Sequence, residues 1–259
     1  MKNTALITGS SNGIGYEFAW IHASKGGDLV LVARNREKLG KLKSDLEKIH
    51  HINVHIIIKD LSVAGAAREV FDEVKMHRIV VEYLVNNAGF GDSGFFAESD
   101  WSKQEQMINL NITSLAHLTW LSLPDMISRR RGKIMNVAST AAFIPGPTMA
   151  VYYATKAFVL SFSQAIGNEV RDQGITVTSL CPGPTRSGFR ENASIDDNRI
   201  FDKAGIPGAR EVAQYGYYSM MSGKSVAIHG FTNKILAHSG KIIPRVAAKA
   251  VRKIHERKF

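Results

Sequence analysis

A chain of 259 residues, 44% hydrophobic and 22% charged, carries the apolar content of one folded domain with a sizeable core and gives no reason for a second. One cysteine, Cys181, excludes an intrachain disulfide and any cysteine-built metal site, and it reads as a small buried hydrophobe. The formal charge of +10 is mostly spread among acids. Its densest clusters, at Arg129, Arg130 and Arg131 and in the tail 252–258, lack the interleaved aromatics of a nucleic-acid surface, so no nucleic-acid partner is expected. Neither a signal-peptide pattern nor an uncharged apolar run of spanning length is present, and the expected location is cytoplasmic.

In chain order, an apolar run over 4–8 predicts a first strand, followed by a glycine-rich turn and a helical pattern over 14–25. Strands are then expected over 29–33, 54–58, 83–86, 133–138 and 176–181, with a shorter one near 226–229. Helical spacing fills the intervals at 36–50, 64–76, 101–130 and 153–173. After Pro182-Gly183-Pro184 the period fails through Asn198, which reads as a lid or substrate loop over about 185–215, and helical spacing returns from Glu211. Strands that are near-continuous Val/Ile/Leu runs, alternating with helices, predict an α/β fold of the doubly wound, Rossmann type. A mostly parallel sheet lies between two helical layers, α/β/α, in a single domain over 1–259.

The turn Thr8-Gly9-Ser10-Ser11-Asn12-Gly13-Ile14-Gly15 joins a strand to a helix. Glycines 9, 13 and 15 allow a sharp backbone turn and close approach of a ligand, and the helix N-terminus offers N–H groups to a pyrophosphate. The second strand ends Leu31-Val32-Ala33-Arg34-Asn35-Arg36, with no acid to hold a ribose 2′-OH. A basic residue there suits the 2′-phosphate, so the cofactor is read as NADP(H), with Arg34 preferred to Arg36 because it is the first residue past the strand.

Tyr152 and Lys156 lie four residues apart, so one helix face carries both, and an ammonium beside a phenol is expected to favour its ionised form. Tyr153, three residues before Lys156, is the rival phenol and is assigned to packing. Of the histidines at 50, 51 and 55, two are four apart. They straddle a helix end and a strand without a clustered carboxylate, so they read as surface residues and no metal is expected.

Taken together these residues resemble the short-chain dehydrogenase/reductase family, of the compact single-domain type, along nearly the whole chain. The marks are the 8–15 turn, Asp60-Leu61 after the third strand, Asn86-Asn87-Ala88-Gly89 after the fourth, Asn111, Ser139, Tyr152 with Lys156, and Pro182-Gly183, in the family's order and spacing. The resemblance implies that Tyr152 is the general acid/base, with Lys156 holding the nicotinamide ribose. It makes Ser139, rather than Thr140, the hydroxyl that polarises the substrate carbonyl, and Asn111, rather than Asn109, the anchor of a water that links Lys156 to solvent. Asp60 and Leu61 are expected near the adenine, Asn87, Ala88 and Gly89 along the cofactor, and Pro182, Gly183 and Thr185 at the carboxamide, with the spacing least regular at Thr185.

The expected protein is an NADP(H)-dependent oxidoreductase that interconverts a carbonyl and a secondary alcohol, acting on a small molecule as a homo-oligomer, dimer or tetramer. Two rivals are a catalytically idle NADP(H)-binding regulatory protein and a membrane-peripheral reductase of lipid-like ketones. The latter rests on the basic tail and the apolar pairs Met220-Met221 and Ile235-Leu236. Phe143, Ile144, Phe189 and Phe201 suggest only that the substrate pocket has apolar walls.

Overall fold

The computed structural model describes residues 1–187, 205–242 and Val251. Seven strands form one sheet: β1 (Thr4–Thr8), β2 (Leu29–Ala33), β3 (Val54–Ile58), β4 (Val81–Asn86), β5 (Gly132–Val137), β6 (Ile175–Cys181) and β7 (Val226–Ile228). Their order is β3-β2-β1-β4-β5-β6-β7 and every neighbouring pair is parallel. The helices are α1 (Gly13–Ala23), α2 (Arg36–His50), α3 (Ala66–Met76), α4 (Trp101–Ile108), α5 (Leu115–Ser128), α6 (Ala150–Glu169), α7 (Ala209–Met221) and α8 (Phe231–Ile242).

Alternation along the strands builds two cores. Ile7, Leu31, Val85 and Leu180 face α1, α2 and α7 through Phe18, Leu39, Leu42, Val212 and Met220. Leu6, Val30, Leu84 and Ile134 face the other way onto α3 and α5, through Val70, Val74, Leu118 and Met126. Each of these side chains stabilises the fold by roughly 1.5 to 3 kcal/mol when fully buried. The continuous apolar strands are therefore the signature of a sheet covered on both faces.

The chain winds outward from β1 to β3, then crosses back to place β4 on the other side of β1. At such a reversal the carboxyl ends of the two strands open a crevice, which is where open α/β sheets bind ligands. Both strands end in polar residues there, Thr8 in β1 and Asn86 in β4.

Two departures from the expected elements bear on that crevice. The helix expected over 101–130 is interrupted: a π-helical segment, Asn109–Ser114, separates α4 from α5. Its cause is visible at Asn111, whose side chain is withdrawn from the helix surface, donating to the Phe90 carbonyl at 2.9 Å and accepting from the Phe90 N–H at 3.2 Å. The widened turn accommodates that inward side chain. The second departure is that α6 starts at Ala150 rather than at 153, which places Tyr152 inside its first turn.

The α1–α7 contact is close because Gly216 leaves no side chain in the way; a Cβ there would stand 3.0 Å from Phe18 and 2.8 Å from Leu180. Phe18 is 1% exposed and its ring lies 6.4 Å from that of Tyr217. Phe18→Ala is expected to lower the unfolding free energy by about 3 to 5 kcal/mol in a denaturant titration, with an unchanged slope.

Candidate active site

A cavity of about 480 Å³ runs along the carboxyl ends of the central strands, from Arg34 and Asp60 at one end to Tyr152 and Ser187 at the other. Its floor at the β1 end is the glycine-rich turn. Gly9 and Gly13 have φ of +66° and +57°, which favour glycine. Space matters as much as φ: a Cβ on Gly9 would sit 2.8 Å from the Ala88 Cα, and one on Gly15 would sit 2.5 Å from Asn87 Nδ2. Ser11, Asn12, Gly13 and Ile14 line the cavity. Ser10 is fully buried with its Oγ 3.5 Å from the Val32 carbonyl, and Gly15 lies behind the turn, so both shape it without lining it. The Asn12 side chain makes no capping hydrogen bond, which leaves the first N–H groups of α1 to face an anion.

Asn87 locks this turn to β4. Its Nδ2 donates to the carbonyls of Thr8 and Gly9 at 3.0 and 3.1 Å, while Thr8 Oγ1 accepts from the N–H groups of Asn87 and Ala88, each at 3.0 Å. Ala88 and Gly89 continue the wall.

At the β2 end, Arg34 is 72% exposed and its guanidinium lies 3.6 Å from the Asp60 carboxylate. Burial raises the Asp60 carboxyl, but the hydrogen bonds from Ser62 and the Arg34 charge outweigh it, and the group is held below the ordinary carboxylate value. Leu61 is buried beside it and lines the cavity. Three further residues here were not singled out in the sequence: Asn35, Lys38 and Lys59. Asn35 caps α2 by accepting the Lys38 N–H at 2.8 Å, which turns the first helical turn toward the cavity, and Lys59 is paired with Glu69. A capping Asn followed three residues later by a lysine is the sequence signal that would have found Lys38.

At the far end, Ser139, Tyr152 and Lys156 meet. Ser139 follows β5, accepts the Ala141 N–H at 3.1 Å and lies 3.4 Å from the Pro182 carbonyl. Tyr152 is buried, and burial pushes its phenol well above the ordinary value; a hydrogen bond with Ser139 offsets only part of this. Lys156 donates to the Val137 carbonyl at 2.8 Å and is pushed down by burial to about 8. Its Nζ lies 5.8 Å from the centre of the Tyr152 ring. The expectation that Lys156 lowers the Tyr152 pKa is therefore corrected: in this arrangement desolvation dominates, and the phenol holds its proton.

Tyr153 packs over Gly146, where a Cβ would collide with its ring, and burial raises its phenol to about 12. Asn111 is buried and does not line the cavity; besides Phe90 it donates to Thr155 Oγ1 at 3.1 Å, and Thr155 Oγ1 donates to the Tyr152 carbonyl at 2.7 Å. Gly89 separates Asn111 from Lys156, since a Cβ there would lie 3.0 Å from the one and 3.4 Å from the other.

Pro182, Gly183, Pro184 and Thr185 close the cavity, with Thr140 N–H donating to the Pro182 carbonyl at 2.9 Å and Thr185 Oγ1 to the Gly183 carbonyl at 2.9 Å. Asn233 at the start of α8 seats against Gly183, a neighbour not foreseen because it is 50 residues away in the chain. Phe189 and Phe201, with most of the expected substrate loop, lie outside the described residues. The histidine reading needs a second correction, because His55 does have a carboxylate partner: Glu73, at 2.9 Å.

The Lys156 geometry fixes a pH dependence. A folded pKa of about 8 against an ordinary 10.5 means that burying the ammonium costs stability below pH 8, and the loss is recovered as pH rises toward 10.5. Between pH 7 and 9.5 this amounts to about 2 kcal/mol in favour of the folded state. Lys156→Met, similar in length and uncharged, is expected to remove that difference when urea unfolding is measured at the two pH values.

Comparisons with known proteins show the family and the fold. The family model for short chain dehydrogenase matches residues 3–198. 17-beta-hydroxysteroid dehydrogenase type 3 of Mus musculus is 36% identical over 188 residues, covering 70% of this chain and 60% of that protein. Very-long-chain 3-oxoacyl-CoA reductase of Homo sapiens is 33% identical over 184 residues, covering 69% and 58%. The matches thus span about three fifths of these curated relatives. Among solved structures, a short-chain dehydrogenase from Sphingobium yanoikuyae in complex with NADPH superposes with a TM-score of 0.82 at 31% identity, covering 92% of each chain. A bulky-bulky ketone specific alcohol dehydrogenase from Comamonas testosteroni gives 0.79 at 27% identity, covering 94% of each.

Proposed function

Since the chain belongs to the short-chain dehydrogenase/reductase family, we propose that it is an NADP(H)-dependent oxidoreductase that interconverts a carbonyl and a secondary alcohol, with Tyr152 as general acid/base. The observation that carries this reading is the convergence of Ser139, Tyr152 and Lys156 on one end of a cavity whose other end holds the glycine-rich turn, Arg34 and Lys38. The residues fit a dinucleotide: a turn held so close to Asn87 and Ala88 that Gly9 and Gly15 have no room for a Cβ, uncapped N–H groups at α1, and two cations past β2. Bound there, the nicotinamide would supply or accept the hydride.

The protein's part is positioning and proton transfer. Ser139 Oγ–H donates to the substrate carbonyl oxygen and polarises it. Tyr152, kept protonated by burial, gives its proton to the same oxygen as the alcohol forms. Lys156, with a pKa near 8, can return a proton toward the phenol and hold ribose hydroxyls. Asn111 and Thr155 fix the turn of α6 that carries Tyr152. The substrate end has apolar walls of Phe90, Met149 and Tyr153. These walls, with relatives named for steroid and very-long-chain 3-oxoacyl-CoA substrates, support a bulky apolar ketone. A cytoplasmic location and a homo-oligomer belong to the same reading. The second reading, a membrane-peripheral reductase of lipid-like ketones, is favoured by the outward face of α8, where Phe231 and Ile235 are 77% and 54% exposed. Among the described residues no helix is long and apolar enough to cross a membrane. Vesicle flotation separates the two.

Tyr152→Phe removes only the transferable proton, so reduction of a ketone panel is expected to slow by about 100-fold to 10,000-fold with NADPH affinity kept. No turnover in the wild type would instead favour the idle, NADP(H)-binding rival; full turnover in the variant would place the acid elsewhere.

Cofactor choice rests on Arg34 and Lys38. A charge-assisted contact to the 2′-phosphate is worth roughly 1.5 to 3 kcal/mol, and Arg34, exposed and shared with Asp60, belongs at the low end. Arg34→Asp is expected to lose about tenfold in NADPH affinity and, with Lys38→Ala added, about 100-fold, while NADH binding is unchanged or improved. Fluorescence titration measures both, and equal wild-type affinity for the two nucleotides would remove the NADP assignment.

A further inference from the structure

The outer strand of the sheet carries a cluster that the redox chemistry does not use. β3 presents His55 and Ile57 on the face toward α3, where Ile57 packs with Val70 and Val74. Glu73 lies four residues before His77, so both stand on one side at the end of α3. His55 Nε2 is 2.9 Å from Glu73 Oε1, the His55 and His77 ring centres are 4.4 Å apart, and one ligand atom from each of the three residues lies within 4.8 Å of the others.

We propose that His55, Glu73 and His77 form a binding site for a transition-metal ion of the Zn²⁺ class, with a fourth position for water. Imidazole nitrogen and carboxylate oxygen bind Zn²⁺ at about 2.0 to 2.2 Å, which in a tetrahedron puts ligand atoms roughly 3.3 Å apart. The His55–Glu73 pair is already near that separation, and His77 needs only a side-chain adjustment, which its exposed place just past α3 permits. Two neutral imidazoles and one carboxylate leave the site with a single negative charge for a dication, and the C-terminal end of α3 adds the favourable sign of its dipole. The nearest lysine on the same face, Lys59, is engaged by Glu69 one turn away and does not compete for Glu73. A bound ion would tie the edge strand to the helix that covers it. β3 leads directly into Lys59, Asp60 and Leu61, so the tie would also steady one wall of the cavity.

The test uses tag-free full-length protein, stripped with chelator and without nucleotide, titrated with Zn²⁺ by calorimetry and followed by thermal unfolding. One Zn²⁺ per chain is expected, with a rise in Tm that chelator reverses, and Co²⁺ should give the visible absorption of a four-coordinate ion. His77→Ala, at an exposed position where the fold is not at stake, and Glu73→Gln should each weaken binding roughly tenfold or more and abolish the Tm rise. The proposal is overturned if the wild type shows no saturable one-to-one binding, or if His77→Ala keeps wild-type Zn²⁺ affinity, which would put the ion among other histidines of the chain.

Discussion

Everything at the site hangs on the joint between β1 and β4. The reversal of winding brings the ends of two strands together, and two side chains, Thr8 and Asn87, weld them through four hydrogen bonds of 3.0 to 3.1 Å. Asn87 Nδ2 occupies the space into which a Cβ on Gly9 or Gly15 would project. The glycines are thus required by a neighbour as much as by their own dihedrals. A side chain at either position would push the turn off Asn87, and the N-terminus of α1 would no longer point into the crevice.

The other end of the cavity is governed by desolvation. Burial acts in opposite directions on Tyr152 and Lys156: it raises the phenol and lowers the ammonium, because both shifts disfavour the charged form. Burial thus leaves a neutral phenol and, 5.8 Å from the centre of its ring, an amine with a pKa of about 8. This pairing suits the reductive direction of the reaction proposed above, where the acid must begin protonated. Oxidation needs the phenolate, and the charge that would stabilise it has to come from what binds in the cavity, since Lys156 directs its Nζ to the Val137 carbonyl.

Much of the framework was legible because strands buried on both faces leave continuous apolar runs; the expected bounds of β1, β2, β3 and α2 coincide with those observed. The glycine turn and the Tyr152–Lys156 spacing are equally local. What escaped was set by contacts distant in sequence. Nothing between 101 and 130 announces a π-helical turn, since its cause is Phe90, and helical periodicity alone runs straight through Asn111. The early start of α6 escaped because Ala150 and Val151 carry no capping signal. The sign of the Tyr152 shift required knowing how deeply the phenol is buried, and the partnership of His55 with Glu73 and His77 required the packing of β3 on α3.

The two ends of the cavity are built with different rigidity. The cofactor end is made of strand termini and helix starts whose backbone groups are already engaged: Gly9 N–H donates to the Val32 carbonyl at 2.8 Å, and the Asn87 and Ala88 N–H groups to Thr8 Oγ1 at 3.0 Å each. The substrate end instead relies on side chains meeting across elements, such as Tyr153 over Gly146 and Phe90 with Met149 and Tyr152. Changing an apolar wall there costs packing at one or two neighbours, whereas changing the turn displaces a strand joint. A scaffold so divided can hold the strand joint constant while the molecule admitted at the other end is set by a few replaceable side chains.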